Sequence, residues 1–222
     1  MEQASKPNIK IYGEGSSYGG EFYKVIIMGQ GNITSDFKCD RMRVFGDSQI
    51  TGEAKIEKYH LFGSTSIRGS LNGKRIKIFG NLDVTEDLTG ESADIRGWLN
   101  VKGNVELEKM TVKGGVTVDG LLNVGRLSIN LQHETSRVNE IGGGTIRVDS
   151  KLINVFKGSH RLEAKVIEGD HIYLEHTTAK VVRGKNVIIG PHCTIDVVEY
   201  STTFKKQERP DCTVKEIKKY QL

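Results

Sequence analysis

From Lys24 to Gly142 apolar and polar positions recur in a 17-residue unit, written seven times without insertion or deletion. In the first copy Val25 and Ile27 lead to Gly29, then Gly31 and Ile33, then Ser35, then Phe37 and Cys39. This period-two spacing predicts short strands with one buried face. Two residues before each glycine stands an aliphatic: Ile27, Val44, Leu61, Ile78, Ile95 and Val112, with Ile129 in a seventh copy that lacks the glycine. The alternation resets at Gly29 and at the Ser35 position, which is glycine at Gly52, Gly69, Gly103 and Gly120, as expected where the chain turns a corner. Three strands and three corners make one triangular coil. The predicted fold is therefore all-β: a single-stranded parallel β-helix, a triangular solenoid of 17-residue coils around an aliphatic core. One inward column is loose: Gly31, Ser48, Thr65, Leu82, Leu99, Val116 and His133.

The same pattern predicts the domain organisation. Residues 1–21 are polar, rich in glycine and serine, and lack the hydrophobic core of a signal peptide, so they read as a flexible N-terminal tail. Residues 22–142 carry the seven regular coils. The period fails at Gly142-Gly143-Gly144, and Gln132 to Gly144 is the expected place for a bulge, loop or boundary. Ala164 to Asp170 is then echoed by Ala179 to Lys185, with Ile172 and Leu174 matching Val187 and Ile189. Residues 143–200 are thus expected to continue the β-helix with shorter coils. Residues 201–222 form a tail or cap, in which Thr213 to Ile217 reads as one more strand or a short helical tail.

Composition narrows the function. Aromatic residues are 7% of the chain, so Val, Ile and Leu must build the core, which suits narrow stacked sheets better than a ligand cavity. A net charge of +4 is too small to imply nucleic acid. Three cysteines, Cys39, Cys193 and Cys212, without a CxxC pair favour a reducing cytoplasm. No apolar run approaches a membrane span.

Charge is patterned too. Lys24, Arg41, Lys58, Arg75, Lys109 and Arg126 occupy the first position of the unit, broken by Ser92. The preceding position carries Asp40, Glu57, Glu91 and Glu108, with Lys74 as the exception, so alternating ion pairs along a solvated corner are expected. The alternative is a basic outer column that docks on glycan or anionic lipid.

Little else suggests chemistry. His176, His192 and Cys193 can come near one another on adjacent coils, but no closed set of four ligands has zinc spacing, and neither a metal nor a cofactor is expected. Asn32, Gln49, Ser66, Asp83, Asn100 and Thr117 point outward without a cluster of carboxylates. There is no GxSxG and no P-loop, so the protein reads as non-enzymatic. A period of 17 also disagrees with the multiple of six that left-handed hexapeptide-repeat transferases require.

The segments Met42 to Gly52 and Tyr59 to Gly69, of the form Ile-x-Ile-x-Gly-x-x-x-Ile-x-Gly, resemble the bactofilins, and the resemblance covers Val25 to about Ile129. It implies a right-handed triangular β-helix that polymerises end to end without nucleotide. It further implies a bacterial cytoskeletal scaffold for envelope-associated or motility machinery, in the cytoplasm or at the inner face of the cell membrane. Its partners would be itself, cell-envelope or motility proteins and, peripherally, the membrane; nucleic acid is not expected. Terminal coils leave backbone groups unpaired, which places the expected polymer contacts at Val25 and Ile27 on one end and Val197 and Val198 on the other. The alternative is a monomeric or dimeric binding module that recognises glycan or anionic lipid through the basic column.

Overall fold

The computed structural model describes residues 6–132, 134–150, 160–207 and 211–221. Among these there is no helix, hence none long and apolar enough to cross a membrane. The chain is a parallel β-solenoid and divides into two compact units, residues 1–103 and 104–222.

The first unit contains β1 (Asn8–Ser17), β2 (Gly20–Ile33), β3 (Phe37–Thr51), β4 (Ala54–Arg68), β5 (Leu71–Val84) and β6 (Leu88–Val101). Each pairs in parallel with the next, and like residues fall in register: Val44 on Leu61, Leu61 on Ile78, Ile78 on Ile95. The inward positions are sealed. Val25, Ile27, Met42, Val44, Leu61, Ile78 and Ile95 are all 0% exposed. Burying each such side chain contributes about 1.5–3 kcal/mol, and β-branched residues fit the pleated surface, so the repeat dictates this stack.

Corners are made where the chain takes a backbone that side chains resist. Gly63 has φ +131, and a Cβ there would overlap the carbonyl oxygen of Gly46 on the previous rung. Each rung therefore rests directly on the backbone of its neighbour at this corner. The loose column also has a physical reason. Ser48 and Thr65 are buried, and the Tyr59 hydroxyl donates to Thr65 Oγ1 at 2.6 Å, while Ser48 Oγ lies 2.7 Å from the same atom. Tyr59 is wholly buried, and desolvation drives its pKa up. Polar residues are tolerated inside because they satisfy one another.

Residues 8–17 correct the expected tail. They form β1, pairing Ile9 with Val25 and Ile11 with Ile27. The segment is short and glycine-rich, yet its two isoleucines continue the inward columns at an offset of one residue less than the repeat.

The second unit contains β7 (Val105–Leu131), β8 (Ser136–Asp149), β9 (Leu162–Leu174), β10 (Thr177–Ile189), β11 (Thr194–Lys206) and β12 (Thr213–Lys219). Here the register changes from rung to rung. Val118 pairs with Val138, and after a bulge Arg126 pairs with Thr145, where an unbroken 17-residue period would require Gly143. The seventh coil is thus longer than expected, and the extra residues lie in the stretch from Gln132 onward where a bulge was predicted; His133 lies outside the described residues. The shorter repeat is present as read: Ala164 pairs with Ala179, Ile172 with Val187 and Leu174 with Ile189. Residues 151–159 of the expected continuation lie outside the described residues. Thr213 to Ile217 belongs to β12, a strand and not a helical tail.

Candidate functional site

Two kinds of surface stand out, strand edges and one decorated face. β1 is first in the strand order, and among the described residues no strand pairs with its outer edge. Along its ten residues that edge presents the backbone N–H and C=O groups that alternate away from β2, a template for another strand. β12 is last in the order, spans seven residues and carries Lys215, Glu216, Lys218 and Lys219. Shortness and charge make this edge a weaker template than that of β1.

The four residues expected at the polymer contacts do not lie on these edges. Val25 and Ile27 are covered by Ile9 and Ile11, and both are fully buried. Val197 and Val198 lie between β10 and β12, paired with Val181 and Val182 on one side and Glu216 and Ile217 on the other. All four belong to interior rungs.

The basic column is in register through the first unit: Lys24 on Arg41, Arg41 on Lys58, Lys58 on Arg75, then Ser92. In the second unit Arg126 aligns with Thr145, and Lys109 lies on β7. Along this corner the expected pairing is seen between Lys74 and Glu91 on adjacent rungs, and not at the column's own cations among the described residues. Asp40 bonds to Lys6 at 2.9 Å, and Glu91 to Lys74 at 3.1 Å.

Two residues further along each strand is a second outward column, Ile26, Arg43, His60 and Lys77, and beside it a third, Met28, Phe45, Phe62 and Phe79. Burial and the neighbouring Lys77 and Arg43 lower the pKa of His60 below 6.5. The third column was not recognised from sequence. Its residues are between 36% and 46% exposed, and Tyr12 precedes them on β1 at 64%. Phe45 and Phe62 stack with centroids 5.2 Å apart and planes at 3°; Phe62 and Phe79 stack at 4.9 Å and 5°. Arg96 covers the far face of Phe79, its guanidinium 5.0 Å from the ring centre. The recurrence of an aromatic just before Gly46, Gly63 and Gly80 was the available signal.

In the second unit His160, His176 and His192 stack on successive rungs, at 5.1 and 4.4 Å between ring centres. His176 and His192 take positive φ, +48 and +57, at the corner. His192 Nδ1 lies 2.8 Å from Asp211, and His176 has its pKa lowered by burial and by its two histidine neighbours. The Cys193 thiol points inward to the Leu174 carbonyl oxygen at 3.4 Å, away from this column. Among the described residues no three His, Cys, Asp or Glu converge as metal ligands. Cys39 and Cys193 are buried, which pushes both thiols up to about 12.

No family model and no solved structure matches this chain. It is 47% identical over 96 residues to the uncharacterized protein YhbF of Bacillus subtilis (strain 168), covering 43% of this chain and 40% of that one. It is 40% identical over 88 residues to the uncharacterized protein YhbE of the same organism, covering 38% and 37%. The matched segments span less than half the length of these curated relatives.

Proposed function

We propose that this chain is a non-enzymatic, self-assembling scaffold that grows by pairing strand edges of successive copies and holds other proteins along its length. The observation that carries this reading is the outer edge of β1, ten residues of parallel ladder with no described strand against it. A second copy laid there would satisfy those groups, each hydrogen bond adding about 0.5–1.5 kcal/mol. Edge pairing of this kind needs no nucleotide. The resemblance of the first unit's coils to bactofilins agrees with it. A second reading, a dimer joined through β1 alone, is favoured by the charge and shortness of β12.

Gly13 supplies a selective test. It has φ +78 and lies at the same corner as Gly63, but a Cβ there meets nothing within 4 Å. In later rungs the corresponding Cβ points at the preceding rung's carbonyl oxygen, so at Gly13 it points where an added parallel strand would sit. Negative-stain electron microscopy and sedimentation velocity of the full chain should give filaments. Gly13→Ala should abolish them while far-ultraviolet circular dichroism stays unchanged. Discrete dimers lost in the same variant support the second reading; monomers of the parent chain at every salt concentration overturn both.

A further inference from the structure

The outward face of the first unit combines an apolar ladder with two columns of cations, and the three columns ride on the same strands. Lys24, Arg41, Lys58 and Arg75 form one column, and Arg43 and Lys77 stand in the next. No carboxylate occupies either column on these four rungs, and among the described residues none of these six cations is in an ion pair. Burial lowers the pKa of His60, and Lys77 and Arg43 beside it add to that shift. Each rung thus presents positive charge beside an exposed apolar side chain at strand spacing, about 4.8 Å per step.

The partner must be anionic and must accept apolar edges. A second copy of this face is excluded by like-charge repulsion, since cation would meet cation. Nucleobases and sugar rings bind aromatic side chains by stacking on their faces. Most of those faces are already used here: Phe62 is stacked on both sides, Phe79 lies between Phe62 and Arg96, and Phe45 is stacked on one side. With their faces stacked, Phe62 and Phe79 offer ring edges to solvent, and with Phe45 and Met28 they make an exposed apolar ridge along the rungs. Such a ridge beside lysine and arginine matches the boundary between anionic headgroups and acyl chains, where apolar side chains insert while long cationic stems reach phosphate.

We propose that this face of the first unit lies on the surface of an anionic phospholipid bilayer, the Met28–Phe79 ladder at the acyl boundary and the two cationic columns on the headgroup phosphates. The contact is peripheral and needs no membrane-crossing segment. It is independent of edge pairing through β1, because its side chains point outward from the strands and leave the ladder backbone free.

The test is co-sedimentation of the full chain with vesicles of phosphatidylcholine alone or mixed with phosphatidylglycerol, across a salt series. Binding should require phosphatidylglycerol and weaken as salt rises. Arg43→Gln with Lys77→Gln should lower affinity about 25-fold, roughly fivefold per cation. Phe45→Ser, Phe62→Ser and Phe79→Ser together leave the charge unchanged and should lower affinity about tenfold or more. Lys38→Gln with Lys55→Gln, outside these columns, should leave it within about the loss of two screened surface charges. Circular dichroism checks that each variant folds; were the triple variant unfolded, Phe62→Ser alone replaces it. Equal binding to neutral vesicles, or charge-dependent binding that the phenylalanine variants do not change, overturns the proposal. So does tighter binding of single-stranded nucleic acid than of phosphatidylglycerol vesicles, which would mark the face as a general polyanion site.

Discussion

Replacing Gly63 by alanine adds a single atom, the Cβ, at this corner. The new Cβ would sit about 1 Å inside van der Waals contact with the Gly46 carbonyl oxygen, an atom fixed by the ladder and unable to swing aside. Forcing a residue with a Cβ to φ +131 costs roughly 1–2 kcal/mol, and the overlap adds about 1–3 kcal/mol. Reduced freedom of the unfolded chain returns about 0.4–1 kcal/mol. The net loss is about 2–4 kcal/mol, a large share of the roughly 5–15 kcal/mol that holds a domain folded. Gly13→Ala carries the φ strain without the overlap, so its net loss is about 1 kcal/mol or less. Urea denaturation followed by circular dichroism, at a protein concentration where both variants are monomeric, compares the two directly. Equal losses would refute the claim that direct backbone contact between rungs, and not the glycine conformation, sets this corner.

Other outcomes follow from side chains inside the stack. Thr65→Val removes the shared partner of Tyr59 and Ser48 and leaves those buried hydroxyls only each other, so it should cost about 2 kcal/mol by the same denaturation assay. Tyr59→Phe leaves Ser48 and Thr65 bonded to each other and should cost about 1 kcal/mol; the reverse ranking would contradict the network. The Cys39 and Cys193 thiols, pushed up to about 12, should react with a thiol reagent in urea but not in native buffer, and rapid native labelling of either would show that its rung opens readily. His176 has a folded pKa below the 6.5 of the unfolded chain, so the unfolded state takes up the proton first as pH falls. The stability present above pH 6.5 is therefore lost as pH drops toward the folded value. The thermal midpoint should fall between about pH 7.5 and about pH 5.5, and a His176→Gln variant with undiminished acid sensitivity would exclude this histidine as the cause.

The inward columns were legible because burial on both sides of a rung leaves only aliphatic residues acceptable at Val44, Leu61 or Ile78. β1 was not legible. With a neighbour on one side only, Asn8 to Ser17 needs just Ile9 and Ile11 to be apolar, and glycines and serines between them mimic a linker. The register of the second unit was half legible: the Ala164 and Ala179 echo marks two rungs of equal length, but nothing local reveals that Ser136 pairs with Leu162 across an insertion. In the candidate surface, the cationic column could be read from spacing, whereas the choice of Asp40 for Lys6 depends on where β1 brings the chain. Phe45, Phe62 and Phe79 were written at the same spacing. A search for buried faces passes over aromatic residues at outward positions, although stacking rewards their alignment without burial.

The constant register of the first unit makes its length divisible. Excising residues 54–70 would remove one rung and leave Thr51-Gly52-Glu53 joined to Leu71, so that β3 meets β5 as it now meets β4, with Val44 over Ile78 and Phe45 over Phe79. A gene encoding such a fold can lengthen or shorten by whole repeats through unequal crossing-over, each event copying or deleting a complete rung with its inward aliphatics, its corner and its outward side chains. The coding sequence is in that sense modular: inheritance counts in coils, and a surface spread over several of them can change its reach in one genetic step.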